Sequence, residues 1–302
     1  MKIIIHGLGR MGMQIAHKLV DDGHTVVAHN RSTDKIDEAE NFGAVRADTK
    51  EDALQALEGT AVVWIMLPAE VVDEQVDEWM KILPKNSLII DGGNSDYRLT
   101  TKLNARIKEQ GLRLVDIGVS GGVWGYQNGF SMMCGSDEQS AYEEIEPVLK
   151  SLAKPEGAYA YFGASGSGHF VKMVHNAIEY GMMESLAEGY RLLKEGPYKD
   201  IDLASAGDVW QHHSVVTSWL NELTRNALRE NPDMSGIDGY VAESGEARWA
   251  LETAQEMGLA APAITAAMDV RRASQKGETN FATKLLAAMR NQFGGHALNK
   301  DK

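Results

Sequence analysis

Near its start the chain passes from an apolar run, Lys2-Ile-Ile-Ile-His6, straight into Gly7-Leu8-Gly9-Arg10-Met11-Gly12, and a helix-compatible stretch follows as far as Asp22. Gly7 permits a tight turn, Gly9 lets a ligand approach the backbone, and Gly12 permits close packing of helix against strand. The free N–H groups at the helix start then favour an anion such as a pyrophosphate. A glycine pattern alone also suits an ordinary strand–helix turn; the second strand candidate, Thr25–His29, turns the reading toward a dinucleotide site. Its expected residues are Gly7, Leu8, Gly9, Arg10, Met11 and Gly12, joined by Leu67 at the end of a later strand.

The pattern that opens the chain recurs. Strand candidates at Val62–Leu67, Leu88–Asp91, Leu112–Ile117, Ser131–Cys134 and Ala158–Phe162 alternate with helix-compatible segments, the signature of a parallel sheet flanked by helices. Pro68 follows one of these runs and Gly92-Gly93 another, at strand ends where open α/β sheets place ligands. Beyond Ser165 the strand signals stop. Helices are expected at Gly168–Glu195, Leu203–Leu228, Gly245–Gln255, Ala263–Ser274 and Phe281–Gln292, and the polar tail Phe293–Lys302 is expected to project from the body. The fold class is therefore α/β: a Rossmann-type doubly wound sheet domain over 1–165, then an all-helical substrate and dimerisation domain over 166–302. A chain of 302 residues is long enough for two domains of ~100–200 residues each.

Composition removes several classes of partner. A net charge of −13 disfavours nucleic acid, whose phosphates would be repelled. No apolar run approaches the ~20 residues of a membrane span. The chain opens on a strand rather than a charged leader and apolar segment, so a cytoplasmic location is expected. Cys134, the only cysteine, excludes an intrachain disulfide framework and a multi-cysteine metal site.

Cofactor choice turns on the end of the second strand. NAD-binding chains usually place Asp or Glu there for the ribose 2′-hydroxyl. Here Asn30-Arg31-Ser32-Thr33 follows, and Arg31 suits a 2′-phosphate, with Asn30 and Ser32 as hydrogen-bonding neighbours. The expected cofactor is NADP. NAD stays open because Asp34 is close by, and a solvated loop is the plainer account of Arg31.

In the stretch Gly166–Tyr180, Lys172, His175, Asn176 and Glu179 fall at i, i+3, i+4 and i+7, a single helical face. Phe170, Met173, Val174, Ala177 and Ile178 fill the rest of the circumference, so the helix should be largely buried and its polar stripe turned to partners or a cleft. A solvated Lys–Glu face is the common alternative. Four different hydrogen-bonding types on one narrow stripe favour catalysis instead. Asp91-Gly-Gly-Asn94-Ser95 and Asp116-Ile-Gly-Val-Ser120-Gly121-Gly122 each follow a strand and keep backbone open to a ligand, though each alone would suit a plain turn.

Taken together, these residues resemble the β-hydroxyacid dehydrogenase superfamily and, within it, the 6-phosphogluconate dehydrogenase family in a short form. Gly-Leu-Gly-Arg-Met-Gly, Asp-Gly-Gly-Asn-Ser and Val-Ser-Gly-Gly are similar to the cofactor and substrate loops. Lys172-Met-Val-His175-Asn176-Ala-Ile-Glu179-Tyr180 and the end segment Arg290-Asn-Gln-Phe293-Gly-Gly-His296 are more particular to the family. The resemblance implies that Lys172 takes the C3-hydroxyl proton as the nicotinamide accepts hydride, then acts as acid during loss of carbon dioxide. Glu179 would protonate the enediol at C1, and no metal is implied because the keto group is the electron sink. Asn176 and Asn94 would hold the reacting hydroxyls and the nicotinamide, Ser120, Gly121 and Gly122 the carboxylate end, and His175 the substrate. Tyr180 and Arg271 would meet the 6-phosphate, with Arg290 and His296 arriving on the tail of another subunit, in a homodimer or homotetramer with shared sites.

The chain departs from the family at two places. Longer members carry a lysine-bearing, glycine-rich loop where this chain reads Glu243-Ser-Gly-Glu-Ala-Arg248-Trp, and Glu246 would repel a phosphate if it pointed inward. Ala177 stands where many relatives have glycine. Arg271-Arg272 also reads as a solvated helix face, and His296 as a disordered terminus. A dehydrogenase of a short unphosphorylated acid such as 3-hydroxyisobutyrate would share the loops and Lys172 without needing His175, Glu179, Tyr180, Arg290 or His296. A dinucleotide sensor would need no general base.

Overall fold

The computed structural model describes residues 1–302 apart from Glu58, His296, Ala297, Lys300, Asp301 and Lys302. Strands β1 (Lys2–His6), β2 (Thr25–His29), β3 (Val45–Ala47), β4 (Val62–Ile65), β5 (Leu88–Asp91), β6 (Arg113–Ser120), β7 (Ser131–Gly135) and β8 (Tyr159–Tyr161) form one sheet in the order β3-β2-β1-β4-β5-β6-β7-β8. The order reverses beside β1, as in a doubly wound sheet, and the glycine turn leaves β1 at that point. Helices α1 (Arg10–Asp21), α2 (Thr33–Asn41), α3 (Lys50–Gln55), α4 (Ala69–Met80), α5 (Tyr97–Glu109), α6 (Gly125–Asn128) and α7 (Gln139–Ala153) connect the strands.

Period-two alternation divides the strand side chains between two cores. Ile3, Ile5, Val26, Ala28, Trp64 and Ile90 pack with Ile15 and Leu19 of α1 and Ile145 and Val148 of α7. Ile4, Val27, Val63, Ile65 and Ile89 pack on the other face with Val72, Val76 and Trp79 of α4 and Leu103 and Ile107 of α5. With both faces covered, the strands read as nearly continuous apolar runs, which is why most were legible.

Three local expectations need correction. The edge strand β3 was absent from them; at three residues, with Val45 exposed, it is too short to show a period. Strand β7 runs antiparallel to β6, with Ile117 opposite Cys134, because the short connection between them cannot make a parallel crossover. The single helix expected over Leu203–Leu228 is two, α9 (Leu203–Gln211) and α10 (Trp219–Glu230), once α8 (Ser167–Glu195) is counted. His213 there takes φ +61°, and the Ser218 hydroxyl accepts from the Asn221 N–H at 3.1 Å to start α10 afresh.

Contacts divide the chain into compact units, Met1–Met173 and Val174–Lys302. The second is helical: the rest of α8, then α9, α10, α11 (Glu246–Glu256), α12 (Pro262–Ser274) and α13 (Phe281–Gly294). Its larger core joins Met183, Ala187 and Tyr190 of α8 to Leu285, Leu286 and Met289 of α13; a smaller one joins Ala177 and Tyr180 to Ala247, Ala267 and Met268. The segment after Phe293 does not simply project: α13 continues to Gly294, and the Asp238 N–H donates to the Asn299 carbonyl at 3.2 Å.

Candidate active site

In the first unit the glycine turn has the geometry its spacing calls for. Gly7 sits at φ +103°, and a Cβ there would lie 2.5 Å from the Met66 carbonyl oxygen and 2.8 Å from Leu67 Cδ2. A Cβ at Gly12 would lie 1.9 Å from the Gly7 carbonyl oxygen, so any side chain would drive α1 off the strand. At Gly9 a Cβ would meet nothing within 4 Å, so this backbone faces open space. Gly9 and Arg10 are exposed, Met11 is half-buried, and the Leu8 side chain is in the core. Asn30 holds the turn from the end of β2: its Oδ1 accepts from the Leu8 N–H at 3.0 Å, and its Nδ2 donates to Ser32 Oγ at 3.0 Å. Arg31 and Asp34 are both exposed.

The loops after β5 and β6 are tied together. Asn94, held at φ +53°, accepts from the Val119 N–H at 3.0 Å, immediately before Ser120, Gly121 and Gly122. All four are half-buried, and Gly121 and Gly122 take φ +145° and +54°. The start of α8 is anchored by Asp116, fully buried on β6, whose carboxylate accepts from the Gly166 N–H at 2.7 Å and the His169 N–H at 2.9 Å. Gly166 has no side chain to cap the helix with, so the strand supplies the acceptor. His169, also buried, faces the Asp91 carbonyl with Nε2 at 3.2 Å and the Thr100 hydroxyl with Nδ1 at 2.8 Å. A carbonyl only accepts, so Nε2 carries the hydrogen. One turn further along, buried Lys172 passes so close to β6 that a Cβ on Gly118 would lie 2.2 Å from Lys172 Cβ.

In the second unit the remaining stripe residues sit in a network. His175 Nδ1 lies 2.9 Å from Asn176 Oδ1 and 4.0 Å from Glu179 Oε2, and Asn176 Nδ2 donates to Glu246 Oε1 at 2.9 Å. Glu246 therefore does point inward and is buried at the first turn of α11. The Tyr180 hydroxyl accepts from the Ser244 N–H at 3.2 Å. The Arg271 guanidinium stacks 3.4 Å over the Tyr180 ring and donates to the Ala242 carbonyl at 3.1 Å. Arg271 is 1 % exposed, so the solvated-face reading fails. Burial, aided by the charge of Arg290, pulls its pKa down to about 10, against the opposing pull of Tyr180, Glu179 and Glu184. Arg290 needs a second correction. It lies inside α13 rather than on a tail, buried in its own chain, and burial lowers its pKa while Tyr180, Glu179 and Glu246 oppose the shift. α13 is buried almost all round, at every position from 285 to 290, so the arginine is enclosed with its apolar neighbours. His296 lies outside the described residues.

Sequence reasoning missed Asp116 as the anchor of α8, His169, and Glu246 as the partner of Asn176. Gly118, in Asp116-Ile-Gly-Val, was the one available signal that something packs closely on β6.

The sequence model of the NAD binding domain of 6-phosphogluconate dehydrogenase matches residues 2–165, and that of the 6-phosphogluconate dehydrogenase C-terminal domain matches 168–302. The chain belongs to the 6-phosphogluconate dehydrogenase family. Within that family it is 35% identical over 298 residues to an NAD(+)-dependent, decarboxylating 6-phosphogluconate dehydrogenase of Haloferax volcanii, covering 98% of each chain. A Plasmodium falciparum 6-phosphogluconate dehydrogenase, solved free and with NADP+ or 6-phosphogluconate, superposes with TM-score 0.83 at 26% identity. That match covers 96% of this chain and 70% of the other, so the family includes longer chains. A 3-hydroxyisobutyrate dehydrogenase of Mycobacterium tuberculosis shares the fold, with TM-score 0.73 at 23% identity over 94% of this chain and 97% of that one. Among the described residues no helix is long and apolar enough to cross a membrane.

Proposed function

We propose that the chain oxidises and decarboxylates 6-phosphogluconate to ribulose 5-phosphate and carbon dioxide with NADP as acceptor, without a metal. The observation that carries the substrate is the pair of buried guanidinium groups, Arg290 and the Arg271 that stacks on Tyr180, both within electrostatic reach of Glu179. A 3-hydroxyisobutyrate dehydrogenase would have no use for two buried cations at that place. Among the described residues the buried Arg271 Nε has no hydrogen-bond partner, and a phosphate suits a guanidinium's paired donors.

The glycine turn fits a dinucleotide, because the open space at Gly9 lets a pyrophosphate reach the N–H groups that begin α1. Arg31 at the end of β2 supports NADP, although the Haloferax volcanii relative is named for NAD(+). The bound nicotinamide supplies the hydride acceptor. Lys172 takes the C3-hydroxyl proton as the hydride leaves C3, and returns a proton to the C3 oxygen as the C1 carboxylate leaves. Glu179 then delivers a proton to the enediol carbon that carried the carboxylate, C2 of the substrate, which becomes C1 of ribulose 5-phosphate. Asn176 and His175 orient the hydroxyls. Asn94 holds the Ser120–Gly122 loop toward the carboxylate end. The protein acts as a homodimer or homotetramer, with His296 completing a neighbour's site.

The test is one assay, dinucleotide reduction and carbon dioxide release on 6-phosphogluconate, run with NADP and NAD separately and with a chelator. Turnover with NADP, undiminished by the chelator, is expected. Turnover of 3-hydroxyisobutyrate but not of the phosphorylated acid would refute the assignment, and a preference for NAD would refute the role of Arg31.

A further inference from the structure

Glu246 is the departure from the family's loop that the function above does not absorb. It starts α11, where Gly245 takes φ +100° and a negative charge is favoured by the helix N-terminus. It is buried, with Oε1 accepting from Asn176 Nδ2 at 2.9 Å and Oε2 without a hydrogen-bond partner. A carboxylate accepts only, so the Asn176 amide must turn its NH2 to Glu246 and its oxygen to His175. That oxygen, 2.9 Å from His175 Nδ1, can only accept, so Nδ1 must donate. The hydrogen of neutral His175 is thereby placed on Nδ1, and Nε2 becomes the ring's acceptor.

We propose that Glu246 is a positioning residue that acts through Asn176, fixing the amide's orientation and holding His175 in the Nδ1–H form, with Nε2 as an acceptor for a substrate hydroxyl. The inference rests on the function proposed above for its catalytic consequence, though not for the relay itself. It also accounts for an acidic residue within electrostatic reach of Arg290. The charge serves the polar stripe, while Arg271 and Arg290 serve the anion. Glu179, 4.0 Å from His175 Nδ1, favours the same tautomer, so the separate contribution of Glu246 has to be measured.

The experiment uses the full chain labelled with 15N-histidine, with the His175 signals assigned from a His175→Gln variant and read on the alkaline side of the ring's titration. Wild type should show His175 protonated at Nδ1 and bare at Nε2. Glu246→Gln, which offers Asn176 either an oxygen or an NH2, should give a mixture of tautomers. Glu246→Leu should abolish the bias, and Glu246→Asp should restore part of it. On 6-phosphogluconate, Glu246→Leu should lower kcat by about 10-fold, the loss of one buried charged acceptor, with dinucleotide affinity unchanged. Wild-type His175 bare at Nδ1 would overturn the proposal whatever the variants do. So would an unaltered tautomer in both Glu246→Gln and Glu246→Leu, or an altered tautomer with an unaltered kcat. A wild type that holds the Nδ1–H form and loses it on substitution, yet does not turn over 6-phosphogluconate, would sink the proposed function and leave the relay standing.

Discussion

Asp116→Asn tests whether a strand carboxylate holds the helix that carries Lys172. Asp116 is fully buried and its two oxygens accept from different N–H groups, Gly166 at 2.7 Å and His169 at 2.9 Å. An asparagine has one accepting oxygen and one NH2, so in either orientation a buried N–H would face another donor. Losing one hydrogen bond to a charged acceptor costs about 1.5–3 kcal/mol, and the remaining bond loses its charge. We expect about 2–3 kcal/mol of destabilisation, which for a unit of this size lowers Tm by about 4–12 °C. Asp116→Ala leaves both donors bare and should cost more, about 4–5 kcal/mol. Scanning calorimetry with and without NADP checks this, because the glycine turn proposed to bind the dinucleotide does not involve Asp116. Oxidation of 6-phosphogluconate should fall in the asparagine variant at temperatures where it is still folded, since Lys172 lies one turn beyond His169. A Tm within about 1 °C of wild type would refute the view that this carboxylate anchors α8.

Three further outcomes follow from the same geometry. Gly118→Ala places a Cβ 2.2 Å from Lys172 Cβ and must move the lysine by about 1 Å, so kcat should fall roughly 100-fold with NADP affinity retained; unchanged steady-state kinetics would count against it. Lys172→Met should lower kcat by about 10²–10⁴-fold while fluorescence titration shows normal NADP binding, and near-normal turnover would remove the general base from the scheme. Glu184 is buried on α8, and burial, with the charge of Glu188, raises its carboxyl from the ordinary 4.5 to about 7 against the pull of Arg271. The folded state therefore binds this proton more tightly than the unfolded one, and stability is lost as pH rises from about 4.5 to about 7. Glu184→Gln should remove that loss, so its Tm relative to wild type should rise between pH 5 and pH 8; a flat difference would show that Glu184 does not titrate there.

What the chain declares in its own sequence is whatever depends on neighbours a few residues away. The apolar strands, the turn Gly7–Gly12 and the stripe Lys172, His175, Asn176 and Glu179 belong here, because strand pleat, turn conformation and helical period are local properties of the backbone. The short edge strand β3 and the break at His213 lay below that resolution. Tertiary structure decided which polar groups meet one another and how deeply each is buried. Asp116 meets Gly166 fifty positions away, and Asn176 meets Glu246 seventy positions away. No spacing rule reaches that far. Arg271 and Arg290 look like any surface arginine in one dimension, and only the packing of α8, α12 and α13 shows that they are buried together beside Tyr180. Burial and charge–charge distance are properties of the folded volume, and the proposed chemistry is written in them.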